Sequence, residues 1–120
     1  KDGIIPDSSN DQNVPRFTWW DHKGTAEWVN YEWTKNRQIS QVEVYWFDDT
    51  GAGHCRVPQS WQILYLLNGE WKPVEVIGEY GTAINQFNLV KFKPVTTKSM
   101  RLAVQLQPNF SGGVLEWFVN

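Results

Sequence analysis

At 120 residues with a net charge of −2 and 15% aromatic side chains, the chain is long enough for one domain that buries roughly two-thirds of the surface its unfolded form exposes. The charge balance offers no basic face for nonspecific binding of nucleic acid or anionic lipid. The single cysteine, Cys55, excludes an intrachain disulfide, and with only His22 and His54 beside it no His/Cys zinc cage forms.

The opening stretch "KDGIIPDSSNDQNVP" is rich in Asp, Ser, Asn and Pro and reads as an irregular loop. It starts abruptly, without a basic-then-apolar signal segment, which leads us to expect a single domain over residues 1–120 cut from a longer multidomain protein. No apolar run approaches the roughly 20 residues that span a bilayer, so neither membrane insertion nor nucleic acid is expected.

The stretch "FTWWDHKGTAEW" follows, with Trp19 and Trp20 adjacent. Successive side chains of a strand point to opposite faces, so these two rings cannot enter the same core. "EWVNYEW" is a strand candidate. "ISQVEVYWF" alternates through Val42, Val44 and Trp46, then stops at "DDTGAGHC", whose glycines mark a loop. "WQILYLLNGEWKPVEVI" is a hairpin, because Asn68-Gly69 supplies the positive φ values of a two-residue type I′ turn between arms at about 61–67 and 71–77. "QFNLVKF", "SMRLAVQL" and "VLEWFV" complete about eight short strands. Aromatic and β-branched residues are frequent and helical spacing is absent, so the fold class is all-β, a jelly-roll β-sandwich. Val42, Val44, Ile63, Leu102 and Val104 are the expected core positions.

Trp28, Trp61, Trp71 and Trp117 fall within strand patterns and read as core or sheet packing. Trp19, Trp20 and Trp46 border loops, where an exposed indole offers a flat face to the axial C–H groups of a sugar ring. Asp21 and His22 follow the paired rings, and Asp48, Asp49, His54 and Arg56 occupy the next long loop. Carboxylates and arginine hold vicinal hydroxyls through paired hydrogen bonds. The plainer reading has Asp48 and Asp49 capping a turn and Arg56 in a surface ion pair. A catalytic role is disfavoured: hydrolytic carboxylates stand across the scissile bond, whereas adjacent residues in an extended loop diverge, and no nucleophile elbow or phosphate loop occurs.

The order "DG", "TWW", "EWVNYEW", "ISQVEVYWF", "SWQILYLLNGEWKPV", "SMRLAVQL", "VLEWFV" resembles the discoidin, or coagulation-factor type C, superfamily of galactose-binding-like jelly rolls. The resemblance covers nearly the whole chain, without the family's usual first strand before "DG". "RFTWWDHKGTAEWV" with "VYWFDDTGAGHCRVPQSW" is similar to accessory regions of bacterial β-L-arabinofuranosidase-like glycoside hydrolases. The resemblance implies a noncatalytic carbohydrate-binding module appended to a bacterial glycoside hydrolase. Such a module binds plant-cell-wall or host glycan through loops at one end of the sandwich, outside the cytoplasm. It also implies that Asn109 and Phe110 lie beside the ligand end, and that a structural calcium is held by Asp2 and Glu116. The rival reading is a structural module that packs on the domains of its parent enzyme and buries its exposed aromatic rings there.

Overall fold

The computed structural model describes residues 17–19, 22–50 and 53–120. Among them there are strands and no helix: β1 (Phe17–Thr18), β2 (Ala26–Phe47), β3 (Ser60–Leu67), β4 (Glu70–Pro73), β5 (Val76–Ile77), β6 (Phe87–Gln105) and β7 (Gly113–Val119). Pairing is antiparallel in the order β1-β7-β2-β6-β3-β4, with β5 on β6.

Two long strands organise the molecule. The first half of β2 pairs with the second half of β6, from Ala26↔Gln105 to Glu32↔Ser99, and its second half pairs with the first half of β6, from Gln41↔Lys91 to Tyr45↔Phe87. Between these ladders the register shifts twice. Residues 33–36 of β2 face only Lys98, and residues 92–94 of β6 face only Ser40. Extra residues on one side of a ladder bend the strand, so both chains turn a corner and pass from one layer to the other. The first layer holds β4, β3, the second half of β6 and the first half of β2. The second holds β1, β7, the second half of β2, the first half of β6, and β5. The result is a β-sandwich.

"EWVNYEW" and "ISQVEVYWF" are therefore one strand, as are "QFNLVKF" and "SMRLAVQL", while the short β1 and β5 are additional, so the described strands number seven. Asn68 and Gly69 both have positive φ, 52° and 81°, and join Leu67 to Glu70 as the Asn-Gly signal requires. The second hairpin arm breaks sooner than its apolar pattern predicts. Past Pro73 one cross-strand bond remains, from Val74 N–H to Ile63 O at 3.1 Å, and Val76 and Ile77 then leave β3 to pair with Phe92 and Lys91 of β6.

The core lies between the layers. Val42, Val44, Ile63, Leu102 and Val104 are all buried there, together with Phe92, Met100, Leu106 and Trp117. A smaller cluster of Tyr45, Phe47, Cys55 and Leu115 forms beside it. Trp61 and Trp117 are core residues as expected, and Trp71 is half-buried. Trp28 is the exception: it is 53% exposed, on the outer face of β2. Its neighbours at period two, Asn30 and Glu32, are polar, whereas Val29 and Tyr31 pack against the core.

Candidate ligand-binding end of the sandwich

Because β2 and β6 double back across the layers, Ala26 and Phe47 finish at the same end of the sandwich: Ala26 pairs with Gln105, Phe47 with Gly113, and only a short loop separates those two partners. Three connections meet at this end, described at residues 19 and 22–25, at 48–50 and 53–59, and at 106–112. Their backbones are laced together. Trp19 N–H donates to Gly112 O at 2.9 Å, Gly24 N–H to Phe110 O at 3.1 Å, and Leu106 N–H to Thr25 O at 2.9 Å. Ser111 N–H donates to His54 O at 2.9 Å and Arg56 N–H to Ser111 O at 3.1 Å. The contact is tight at Gly112, where a Cβ would stand 2.8 Å from Leu106 Cδ2 and 3.2 Å from Arg56 O. A side chain there would have to displace the Leu106 side chain and crowd Arg56 O.

These bonds bring most of the predicted site residues into one neighbourhood and assign them different tasks. Asp48 is a cap: its buried carboxylate accepts from Thr50 N–H at 3.0 Å, from the Thr50 hydroxyl and from Val57 N–H at 3.2 Å. Asp49 accepts from Cys55 N–H at 2.7 Å and lies 3.5 Å from Arg56 Nη1. Arg56 Nη1 also donates to Gly53 O at 3.0 Å and Cys55 O at 2.9 Å, and the guanidinium stands 4.4 Å from the centre of the Phe110 ring. The loop thus holds its charges through its own backbone, while the side chains of His54 and Asn109 are exposed. Asn109 takes a left-handed φ of 68°, which an Asn tolerates better than most residues.

His22 is exposed, its Nδ1 3.0 Å from Glu27 Oε2, which also accepts from the Thr25 hydroxyl at 2.6 Å. Trp20, Asp21 and Asp2 lie outside the described residues.

Two of the predicted stacking rings are not available for stacking. Trp46 is fully buried, packs edge-on against Trp61 at 5.2 Å and donates its indole N–H to Gly81 O at 3.3 Å. It continues the inward series of Val42 and Val44, so the loop border that singled it out is overruled by its alternation. Trp19 is 7% exposed and donates to Trp28 O at 3.4 Å. Trp19 is a member of the core cluster.

Glu116, the proposed metal ligand in β7, is buried, with its Oε1 accepting from Trp117 N–H at 3.2 Å. A buried carboxylate is a hard oxygen donor of the type calcium takes. Among the described residues no group of three or more His, Cys, Asp or Glu side chains gathers around a common point.

Sequence reasoning passed over a second cluster, on the outer face of the first layer. Arg101 lies between two indoles, 4.0 Å from the centre of the Trp28 ring and 4.1 Å from that of Trp71, and its Nε donates to Asn30 Oδ1 at 2.9 Å. Desolvation between the rings lowers its pKa from the ordinary arginine value, though an arginine remains charged throughout the physiological range. The signal was present in "RLAVQ", where Arg101, Ala103 and Gln105 alternate outward against Leu102 and Val104.

No family model matches the chain. Its fold is similar to that of a structure from the Streptococcus pneumoniae β-galactosidase BgaA, with a TM-score of 0.78 at 18% identity over 98% of this chain and 80% of that one. It is also similar to the family 32 carbohydrate-binding module of NanJ from C. perfringens, solved in complex with galactose (TM-score 0.67, 17% identity, 99% of this chain and 87% of that one). A pectin-binding carbohydrate-binding module matches with a TM-score of 0.65 at 22% identity, over 88% of this chain and 70% of that one. At such identities the likeness establishes the fold, a galactose-binding-like β-sandwich.

Proposed function

We propose that the chain is a noncatalytic carbohydrate-binding module of a bacterial, extracytoplasmic glycoside hydrolase, and that it takes its glycan at the end of the sandwich where the three loops meet. The observation that carries this reading is the lacing of residues 19–25, 48–59 and 106–112 at one end, in a fold shared with a galactose-bound module. With Trp19 committed to the core, Trp20 is the ring proposed to stack on the sugar. Asp21, His22, Asp49, His54, Arg56 and Asn109 would exchange hydrogen bonds with its hydroxyls, and Phe110 would supply apolar contact. The absence of catalysis is argued from Asp48 and Asp49, whose carboxylates are taken up by backbone N–H groups of their own loop. The parent is proposed as a glycoside hydrolase in general, its β-L-arabinofuranosidase-like character resting on the motif resemblance alone.

A shallow single-sugar site desolvates few atoms, so affinity is expected at roughly millimolar to tens of micromolar, about −4 to −6 kcal/mol. Attachment to an enzyme would offset this by raising local substrate concentration. The test is an NMR titration of the chain with neutral galactosides and with plant-cell-wall and host-type glycans, repeated on Trp20→Ala and Arg56→Ala. Shifts confined to the three loops, lost in both variants, support the site. A chain that shifts with no glycan at high millimolar concentration would instead be a structural module that packs on its parent enzyme.

We further propose that Glu116, with Asp2, supplies carboxylate oxygens to a structural calcium that braces the N-terminal segment against β7. A ligand that binds only the folded state raises its melting temperature. A melting temperature indifferent to millimolar calcium and to chelator would remove the metal and leave the glycan reading intact.

A further inference from the structure

The outer face of the first layer is a three-by-three grid fixed by register. Ala26, Gln105 and Ser60 form one row across β2, β6 and β3; Trp28, Ala103 and Gln62 form the next; Asn30, Arg101 and Leu64 form the third. Ala103 is the smallest side chain of the middle row, so the row dips between Trp28 and Gln62, two interstrand spacings or about 10 Å apart. The hollow over this face measures about 530 Å³ and runs from Trp28 towards the edge of β3 at Tyr80, within the roughly 300–1,000 Å³ of small-molecule sites.

Two features of the hollow point to a ligand. Trp28 leaves a large, half-exposed aromatic surface in a polar setting. Arg101, held rigidly between Trp28 and Trp71, donates only its Nε, to Asn30. Among the described residues its terminal nitrogens have no acceptor and no carboxylate pairs with it. Among the same residues the acid that lines the hollow is Glu27, which already accepts from Thr25 and stands 3.0 Å from His22. A pre-oriented guanidinium with a free end is built to bind a carboxylate through two parallel N–H···O bonds. The adjacent indole accepts the apolar face of a ring.

We propose that this face is a second binding site, adjoining the loop end but lined by its own residues, and that its ligand is an acidic glycan. The carboxylate of a uronate- or sialate-type sugar would engage the terminal nitrogens of Arg101, the ring would lie against Trp28, and Gln62 would meet hydroxyls together with Gln105 Oε1, the Gln105 Nε2 being taken by Gly24 O and Leu106 O. The charge complementarity selects against a neutral glycan, and burying the unmatched Arg101 guanidinium would penalise the apolar surface of a protein partner. The site does not depend on the loop-end reading and is tested apart from it.

The experiment is a heteronuclear NMR titration of the isotopically labelled chain with trigalacturonate, with sialyllactose, and with neutral galactotriose and lactose as controls. The Trp28 indole N–H and the Arg101 Nε–H are the reporters. At least one acidic sugar is expected to shift both reporters, and to bind about tenfold more weakly in Arg101→Gln or Trp28→Ala, tenfold being one good charge-assisted contact. Binding should also weaken severalfold from about 50 mM to about 500 mM salt, as screening requires. Arg101→Lys should restore part of the loss, and Arg56→Ala should leave this binding within about twofold, because Arg56 does not line the hollow. Trp28 is exposed, so its variant removes little core packing and is expected to fold, as signal dispersion will show. Shifts confined to the loop end, equal binding of neutral and acidic sugars, or indifference to Arg101→Gln would each overturn the proposal. So would self-association through this face, detected by sedimentation and abolished by Trp28→Ala.

Discussion

The Arg56 guanidinium stands 4.4 Å from the centre of the Phe110 ring while its Nη1 donates to the carbonyls of Gly53 and Cys55. One side chain therefore fixes the curl of the 48–59 loop and clamps it to the 106–112 loop. The parallel bridge between Cys55 and Ser111 runs directly beneath this contact in sequence. These described residues of the loop end are held by contacts within the protein, which would reduce the ordering cost of the glycan binding proposed there.

Removing the clamp should loosen the junction without unfolding the sandwich. Arg56→Ala is expected to cost about 1–2 kcal/mol, the sum of a partly exposed cation–π contact and its hydrogen bonds. Amide exchange should quicken at Arg56 and Ser111, whose N–H groups bridge the two loops. Arg56→Lys keeps the charge but loses the planar fork and should fall between the two. Exchange rates unchanged in Arg56→Ala would show that the backbone bonds alone hold the loops.

Asp48 is expected to matter for stability and little for ligand. Its truncation to Ala strands the Thr50 and Val57 N–H groups, a loss of about 1–3 kcal/mol. Asp48→Asn keeps an acceptor and should cost less. Urea titrations of the two variants check the order, and a larger loss in Asp48→Asn than in Asp48→Ala would contradict the capping role.

Much of the architecture was legible because period-two alternation and the Asn68-Gly69 pair are local signals. Val42, Val44, Ile63, Leu102 and Val104 are buried as their spacing requires. What misled was weighing chemistry above alternation. Trp46 looked like a loop-edge ring, although its period mates Val42 and Val44 already assigned it to the core. Trp28 looked like a core ring, although its mates Asn30 and Glu32 already faced it outward. The joining of strand candidates into β2 and β6 was hidden for a different reason: "TKNRQ" and "KPVTT" carry no apolar pattern, and only pairing across the corner keeps them extended. The meeting of three loops depends on contacts such as Trp19 with Gly112, far apart in sequence, which no local pattern records.

Trp46 offers a sharp check of that correction. Trp46→Ala should cost about 3–5 kcal/mol by the cavity it opens. Trp46→Phe, which keeps most of the volume, should cost less. Gly81 O would lose the Trp46 donor at 3.3 Å but retain the Trp61 Nε1 donor at 2.8 Å. The folded Trp46→Phe protein should bind glycan as the parent does. Loss of binding at full stability would return Trp46 to the list of ligand contacts.

Tyr80 makes the stability of the sandwich sensitive to alkali. Its ring packs against Trp61 at 4.7 Å, and its hydroxyl oxygen accepts the Ile63 N–H at 3.0 Å. Burial disfavours the phenolate and raises the pKa above the ordinary 10.0, while the Ile63 N–H favours the phenolate and offsets part of the rise. The folded chain therefore holds this proton more tightly than the unfolded chain. The resulting stability is fully present below about pH 10 and is lost as pH rises from there through the raised folded value. Tyr80→Phe should be less stable than the parent by about 1 kcal/mol at neutral pH, for want of an acceptor for Ile63 N–H. Its stability should then fall less steeply above about pH 10, because one of the groups that loses its proton on unfolding is gone. Urea midpoints measured across the alkaline range decide the matter: parallel curves for parent and Tyr80→Phe would assign the alkaline sensitivity to other groups.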